Sequence, residues 1–250
     1  MADALLLVTD LTKRFGGLAA NDSLSLAVNG GELHAVIGPN GAGKTTLISQ
    51  LSGEIRPDAG SIRFAGEEIA AVSSAHRVHR GLARSFQIPQ LLGDYTASEN
   101  VALAAQARSG HSFRFWSDAR RNRRLRDAGM AGLRRVGLTA RANVPAKELA
   151  HGEQKQLELA IALATGPRML LLDEPMAGLG SRECAEMIDL LRQLKQEITI
   201  LLVEHDMDAV FALADRVSVL VSGQRVASGT SEEVKNNPVV RAAYLGEGNA

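Results

Sequence analysis

The sequence contains the stretch Gly38-Pro39-Asn40-Gly41-Ala42-Gly43-Lys44-Thr45, which reads G-x-x-x-x-G-K-T. An apolar run over 33–37 precedes this stretch, and Thr46 opens a segment with helical spacing. In such a strand–loop–helix setting, glycines let backbone N–H groups close around a polyphosphate, and the helix N-terminus adds partial positive charge. We therefore predict that residues 38–46 bind a nucleotide. Lys44, expected to be exposed until phosphate arrives, would reach the β- and γ-phosphates, and Thr45 would ligate Mg²⁺.

A pair of carboxylates follows a continuously apolar segment further along the chain. Met169-Leu170-Leu171-Leu172 is typical of a strand buried on both faces, and it ends in Asp173-Glu174-Pro175. Because ligands in open α/β sheets lie beyond the carboxyl ends of strands, both carboxylates are expected near the phosphates. We predict that Asp173 holds Mg²⁺ through water and that Glu174 is the general base. Acidic residues after a buried strand are also common helix starts, and the glycine-rich loop is what favours the catalytic interpretation.

The remaining pattern predicts an α/β fold with a parallel sheet and a helical insertion in its middle. Apolar segments predict strands at 5–11, 23–28, 33–37 and 61–64. Helical character runs from about 96 to 164, with helices expected at 101–107 and 119–136. Strand and helix then alternate at 169–172, 181–196, 198–203 and 207–214. We also expect a hairpin around Ser222-Gly223 and a capped short helix after Thr230.

Composition excludes several classes of protein. The chain has 250 residues, 45% of them hydrophobic, enough for one sizeable core with or without a small inserted subdomain. Lys and Arg total 28, as do Asp and Glu, so no net field draws the whole protein to nucleic acid or anionic lipid. Its apolar runs are too short for a membrane helix, and Asp3 and Asp10 do not suit a signal peptide. We expect a cytosolic chain or one held on a membrane by a partner, with Cys184 a buried spectator.

A third motif carries a family resemblance. Leu149-Ala150-His151-Gly152-Glu153-Gln154 precedes a helix and resembles the signature of the ABC ATPases, Leu-Ser-Gly-Gly-Gln in its usual form. The resemblance extends over the whole chain and implies a single ABC ATPase domain, 1–250. That domain would have a P-loop (RecA-like) core, an N-terminal antiparallel β subdomain and a helical subdomain inserted at about 90–160. A C-terminal hairpin and short helices would follow at about 216–246.

The resemblance further implies that ATP lies between two ATPase subunits arranged head to tail. Ala150, His151, Gly152 and Glu153 of one subunit would bind the γ-phosphate that the glycine-rich loop of the other holds. Ala150 lacks the usual serine hydroxyl and His151 replaces a glycine, so one hydrogen bond to phosphate is expected to be missing. Gly180 stands where many relatives have aspartate, so communication between the two sites through that loop would use backbone groups.

Three single residues take expected roles from the same resemblance. Gln87 would bind Mg²⁺ or water and sense the insertion, His205 would contact the γ-phosphate, and Phe15 would stack on adenine. From the residues alone, each has an ordinary alternative. Gln87 could be a surface residue, His205 a surface histidine paired with Glu204 and Asp206, and Phe15 an aromatic capping the core.

The helical insertion is basic and aromatic. Its arginines are Arg108, Arg114, Arg120, Arg121, Arg123, Arg124 and Arg126, and its aromatics are Phe113, Phe115 and Trp116. This composition could mean nucleic acid binding or a solvated helix face over a small core. We favour a surface near anionic headgroups or a membrane partner, because ABC ATPases dock their transmembrane subunits at the insertion.

Local features resemble the ATPases of branched-chain amino-acid uptake systems, the larger of their two ATPase subunits in particular. These features are the Ala-His-Gly-Glu-Gln signature, Ala177-Gly178-Leu179-Gly180, Glu204-His205-Asp206-Met207 and the tail at 236–247. The resemblance implies transmembrane permease subunits, a second ATPase subunit, an external substrate-binding protein and a peripheral site on the cytoplasmic side of the inner membrane. Lipopolysaccharide export and urea or aromatic-acid uptake remain alternatives. A soluble ABC ATPase acting on nucleic acid or ribosomes is the other class, and we expect no nucleic-acid partner.

Overall fold

The computed structural model describes residues 4–85, 91–108 and 123–245, and within them the strands form two sheets. The N-terminal sheet has the order β2-β1-β4-β5 with antiparallel neighbours. Its strands are β1 (Leu6–Phe15), β2 (Leu18–Val28), β4 (Ala59–Phe64) and β5 (Glu67–Glu68). The central sheet has the order β10-β9-β3-β8-β7-β6 and is parallel except at its β10 edge. Its strands are β3 (Leu33–Ile37), β6 (Leu82–Arg84), β7 (Met169–Asp173), β8 (Thr199–Val203), β9 (Arg216–Val221) and β10 (Gln224–Gly229).

Helices cover the central sheet and form the insertion between β6 and β7. They are α1 (Lys44–Ser52), α2 (Ser74–His79), α3 (Ala97–Arg108), α4 (Arg123–Arg135), α5 (His151–Ala164), α6 (Ser181–Leu194), α7 (Met207–Leu213), α8 (Ser231–Asn236) and α9 (Pro238–Leu245). Within the insertion, α3, α4 and α5 pack on one another. None of the helices in the described part of the chain combines the length and apolar character of a membrane span.

The middle strands of the central sheet are apolar throughout because both of their faces are covered. Every residue of β3, β7 and β8 is buried. Successive residues of a strand point to opposite faces. Leu171 therefore packs with α1 and the N-terminal sheet, whereas Leu170 and Leu172 pack with α5 and α6. This two-sided core fixes the carboxyl ends of the three strands beside one another.

The predicted α/β class and parallel sheet are confirmed, as is the hairpin, in which Ser222 (φ 50°) and Gly223 (φ 80°) connect β9 to β10. Both turn residues have positive φ, as a two-residue turn between right-twisted strands requires. Thr230 caps α8, since its hydroxyl accepts from the Glu233 N–H at 3.3 Å. The predicted strands 5–11 and 23–28 were too short, because β1 and β2 extend to a turn at Gly16-Gly17. The predicted bounds of the helical subdomain stay a prediction, and 109–122 lies outside the described residues.

Candidate functional site

The glycine-rich loop connects β3 to α1 and is pressed against two neighbouring strands. A Cβ atom on Gly38 would lie 2.2 Å from the Leu220 carbonyl oxygen, and one on Gly43 would lie 2.1 Å from that of Ala20. No side chain fits at either distance, so the close approach of backbone to backbone requires glycine at both positions. Gly41 has φ 78° but open space around it, so glycine is favoured there by the backbone conformation and not by a lack of room for a side chain.

The Lys44 side chain is enclosed by this loop. Its ammonium donates to the carbonyl oxygens of Gly38 at 2.6 Å and Pro39 at 2.9 Å, and the residue is only 7% exposed. The expectation of an exposed Lys44 is therefore wrong. Because the ammonium would be costly to bury unpaired, the loop curls around it and supplies carbonyl acceptors. The charge is thus held by the carbonyl oxygens of the loop itself.

A cleft of about 310 Å³ opens beside the loop. It is lined by Phe15, Leu18, Ala19, Ala20, Asn40, Gly41, Ala42, Gly43, Lys44, Thr45, Thr46 and Glu174. Phe15 is 49% exposed at this cleft rather than buried as a core cap, and Lys13 Nζ lies 5.6 Å from the centre of its ring. The structure thus brings together the aromatic residue, the phosphate loop and one acidic residue from β7's end.

Asp173 is the buried member of the acidic pair. It is 1% exposed, and Arg84 Nη2 donates to its Oδ2 at 3.1 Å. Burial raises the pKa of the Asp173 carboxyl, and the Arg84 charge opposes this rise. Among the described residues, Asp173 Oδ1 has no hydrogen-bond donor. A buried carboxylate oxygen without a donor suits a hard cation, so the residues present fit Mg²⁺.

Arg84 is a site residue that the sequence analysis missed. Besides Asp173, its guanidinium contacts Glu54 and the Ser49 hydroxyl of α1. It therefore connects α1, the helix after the glycine-rich loop, to the Asp173 carboxylate. An arginine at the end of the short apolar segment before Gln87 was the available signal, but nothing in the sequence paired it with Asp173.

Glu174 adopts an uncommon backbone conformation, with φ 50°. Its N–H donates to the Val203 carbonyl at 2.9 Å, which joins it to the end of β8. A non-glycine residue in the left-handed region has a strained backbone. Such residues cluster at functional sites, where surrounding contacts hold them in that conformation. Here the turn sends the Glu174 side chain into the cleft while Asp173 stays in the sheet.

His205 follows the neighbouring strand β8 and reaches the same place. Its Nδ1 lies 3.9 Å from Glu174 Oε1 and 3.7 Å from Glu204 Oε2, and its side chain is 62% exposed. Asp206 does not pair with it but caps α7, accepting from the Asp208 and Ala209 N–H groups. The structure therefore brings Glu174 and His205 together at adjacent strand ends.

The signature segment lies at the start of α5 and, among the described residues, lines a different cleft. Ala150 is the N-cap, and the Glu153 carboxylate accepts from the Ala150 N–H at 3.0 Å and Arg141 Nε at 2.7 Å. Burial would raise the pKa of Glu153, but the hydrogen bonds from Arg141 and Ala150 outweigh it and lower the pKa. Gly152 and Glu153 face Glu183 of α6 instead of the phosphate loop. The domain thus presents its signature segment away from the cleft beside its glycine-rich loop.

Several predicted residues fall outside the described part of the chain. Gln87 lies outside the described residues, as do the insertion residues Phe113, Arg114, Phe115, Trp116, Arg120 and Arg121. Arg108 ends α3, and Arg123, Arg124 and Arg126 lie on α4. Across the described ranges 4–85, 91–108 and 123–245, no cluster of three or more His, Cys, Asp or Glu side chains forms a metal cage. Mg²⁺ would accordingly rely on few protein ligands together with phosphate oxygens and water.

The phosphate loop, the two carboxylates at the end of β7 and the order of the central sheet define an ATPase of the P-loop class. A family model described as ABC transporter matches residues 21–177, and one described as Branched-chain amino acid ATP-binding cassette transporter matches 224–250. The chain belongs to the ABC transporter family.

Similar proteins extend over the full chain. The high-affinity branched-chain amino acid transport ATP-binding protein BraF of Pseudomonas aeruginosa is 39% identical, covering 99% of this chain and 100% of the relative. The corresponding protein LivG of Escherichia coli is 38% identical over the same shares of each chain. Among solved structures, the ADP conformation of MJ1267, an ATP-binding cassette of an ABC transporter, superposes with a TM-score of 0.86. It is 31% identical and covers 97% of this chain and 99% of that one.

Proposed function

We propose that this chain hydrolyses ATP to power the uptake of branched-chain or related amino acids by an ABC importer. The observation that carries the hydrolytic part is the shared cleft, where Glu174 faces the loop that encloses Lys44. Two findings support the cargo class. The full-length relatives are named for branched-chain amino acid transport, and the C-terminal segment matches a family model of that specialised group.

In the proposed reaction each residue has a separate task. The backbone of the glycine-rich loop and the Lys44 ammonium bind the β- and γ-phosphates, and Phe15 stacks on adenine. Thr45 and Asp173 would hold Mg²⁺, with Gln87 as a further ligand, and the ion supplies charge neutralisation of the phosphates. Glu174 accepts a proton from the attacking water, and His205 donates to the γ-phosphate.

The proposal includes a second ATPase subunit. Because the signature segment faces away from its own cleft, it is available to a nucleotide held by another subunit. Ala150, His151, Gly152 and Glu153 would complete the partner's site head to tail. Glu153 would do so through its backbone, since its carboxylate is already held by Ala150 and Arg141.

The remaining partners lie at the membrane. We propose that permease subunits dock on the inserted helices and that the chain is peripheral on the cytoplasmic face of the inner membrane. A periplasmic or extracellular binding protein would deliver the amino acid to those permeases. Two observations support this: the similar proteins BraF and LivG are transport ATP-binding proteins, and α4 carries basic residues.

The hydrolytic step is tested with Glu174→Gln on the purified protein. We expect ATP and Mg²⁺ binding to persist, while hydrolysis slows by roughly the 10²–10⁴-fold credited to general base catalysis. The control is Glu232→Gln, which makes the same change on the exposed first turn of α8. If Glu174→Gln hydrolyses ATP as fast as the control, another group is the base.

A further inference from the structure

A buried lysine on the signature helix contacts the main chain of the proposed general base. Lys155 is only 5% exposed, and its Nζ donates to the Glu174 carbonyl oxygen at 3.3 Å. Burial lowers the pKa of Lys155, whereas the nearby charges of Glu158, Glu204 and Glu174 raise it. A cation buried among carboxylates is retained where its contacts compensate for desolvation.

The contact falls at a residue of the site with a strained backbone. Glu174 has φ 50°, and such a conformation persists only when neighbouring groups hold it. Its N–H is fixed by Val203, while its carbonyl accepts from both Lys155 Nζ and the Ala177 N–H, the latter at 3.1 Å. The conformation is therefore held from β8 on one side and from α5 on the other.

The buried carboxylate of Glu204 links the loop after Glu174 to His205. Glu204 is completely buried, and its Oε1 accepts from the Met176 N–H at 3.0 Å. Its Oε2 accepts from the His205 N–H at 3.1 Å. The loop after Glu174 and the main chain of His205 thus share the Glu204 carboxylate, which also raises the pKa of Lys155.

We propose that Lys155 is a positioning residue for ATP hydrolysis, holding the Glu174 main chain so that the carboxylate stays aimed into the cleft. It acts through Glu174 and touches no substrate, and the inference rests on the proposed role of Glu174 as base. Since α5 also begins with the signature segment, one rigid helix connects the surface offered to a partner's nucleotide with the base of the chain's own site. This connection needs no side chain at Gly180.

The test compares Lys155→Met with Lys155→Arg and Lys195→Met in steady-state ATPase assays. Lys155→Met keeps the length of the side chain and removes its donor and charge. We expect kcat to fall by roughly 10- to 100-fold, the order of loss that a misplaced catalytic group causes, with ATP affinity unchanged within about twofold. Lys155→Arg restores a charged donor and should recover much of kcat. Lys155→Gln takes the place of Lys155→Met if the latter does not fold.

Lys195→Met is the matched control, because Lys195, the C-cap of α6, also donates to a main-chain carbonyl, that of Leu213, at 3.0 Å. It is remote from the cleft and should lower stability without changing kcat per ATP-binding site. A normal kcat in Lys155→Met overturns the proposal. So does a loss that Lys155→Arg fails to reverse, or one that follows the fraction of protein able to bind ATP.

A double variant separates this inference from the proposed base. If Lys155 acts through Glu174, adding Lys155→Met to Glu174→Gln should cause no further loss of hydrolysis. An additional loss as large as in the single variant shows that Lys155 acts elsewhere. If Glu174→Gln alone hydrolyses ATP normally, it is the assignment of the base that fails, and the positioning role fails with it.

Discussion

At the scale of single residues, the site keeps two carboxylates in opposite environments on adjacent positions. Asp173 is enclosed by the sheet and held by Arg84, while Glu174 turns into the cleft beside His205. The first environment suits a cation and the second suits an exchange of protons with water. The separation follows from one backbone torsion, the positive φ of Glu174.

The burial of Asp173 predicts that the charged carboxylate proposed to hold Mg²⁺ lowers the stability of the folded protein. Its folded-state pKa is raised, so the contribution of its neutral form to stability is lost as pH rises through that pKa. We expect nucleotide-free Asp173→Asn to melt at a higher temperature than the parent protein at about pH 7. Arg84 would still be paired with Glu54 in this variant.

Thermal melts of both proteins between about pH 7 and about pH 4 check the sign. The advantage of Asp173→Asn should shrink as the pH falls, because the parent carboxyl then becomes neutral as well. An advantage that grows toward acid would contradict a raised pKa. With Mg²⁺ and ATP present, the order should reverse if Asp173 holds the ion.

Residue types and spacing predicted the components of the site but not their contacts. The phosphate loop and the Asp-Glu pair were recognisable because their chemistry requires those residues after apolar strands. The enclosure of Lys44 was not predictable, since it depends on how the loop's own carbonyls point. Arg84 and Lys155 were missed for a related reason. Each is a common surface residue type whose partner lies far away in the sequence.

At the scale of elements, two glycines of the phosphate loop form a natural comparison. Both have positive φ, 78° at Gly41 and 98° at Gly43, so alanine at either costs about 1–2 kcal/mol of backbone strain. Only at Gly43 would the Cβ also meet Ala20 O at 2.1 Å and Asn21 Nδ2 at 2.6 Å. We expect Gly43→Ala to lose a further ~1–3 kcal/mol through overpacking.

Urea unfolding of Gly41→Ala and Gly43→Ala measures this difference directly. Nucleotide binding should survive better in Gly41→Ala, because the loop need not shift away from β2. Equal losses of unfolding free energy in the two variants would show that backbone strain alone accounts for the glycines.

The start of α5 gives a prediction for the signature helix. Ala150 occupies the N-cap with extended backbone (φ −61°, ψ 158°), so serine there could accept from the first helical turn. Ala150→Ser should therefore stabilise the nucleotide-free domain by about 1 kcal/mol. If the hydroxyl also reaches a partner's γ-phosphate, it adds roughly 1.5–3 kcal/mol gross to ATP-driven pairing.

Sedimentation in a Glu174→Gln background separates the two effects. With ATP, Ala150→Ser should pair more strongly than the parent, and with ADP it should not, because the γ-phosphate is missing. Pairing that improves equally with both nucleotides would reflect helix stability alone, and pairing that is unchanged or weaker with ATP would contradict the proposed γ-phosphate contact.

The sequence pattern predicted some strands and helices better than others. The middle strands were predicted closely, because a strand buried on both faces must be apolar throughout. The outer halves of β1 and β2 were missed because they are partly exposed and polar, with irregular register between Val8 and Leu11. The short strand β6 and helix α2 offer too few residues for a periodic pattern.

In the whole molecule, the cleft proposed to bind ATP and the signature segment proposed to complete a partner's ATP site lie at different places. The chain holds its glycine-rich loop and Glu174, the proposed base, in one cleft and its signature segment at another, so we expect full activity only when two subunits close on ATP. In the proposed cycle, hydrolysis would then reopen the pair. A variant that binds ATP but does not hydrolyse it should keep the two subunits closed and so stop transport, which needs repeated closing and opening.

Whether this ATPase drives transport is tested by the initial rate of labelled leucine uptake in cells whose own copy of this protein carries Glu174→Gln. We predict uptake at the passive background, although the protein is made in normal amounts and is loaded with ATP. Cells with the surface variant Glu232→Gln should take up leucine at the normal rate. Normal uptake in the Glu174→Gln cells, together with ATP-dependent retention of DNA or RNA by the purified variant, would contradict the transporter account.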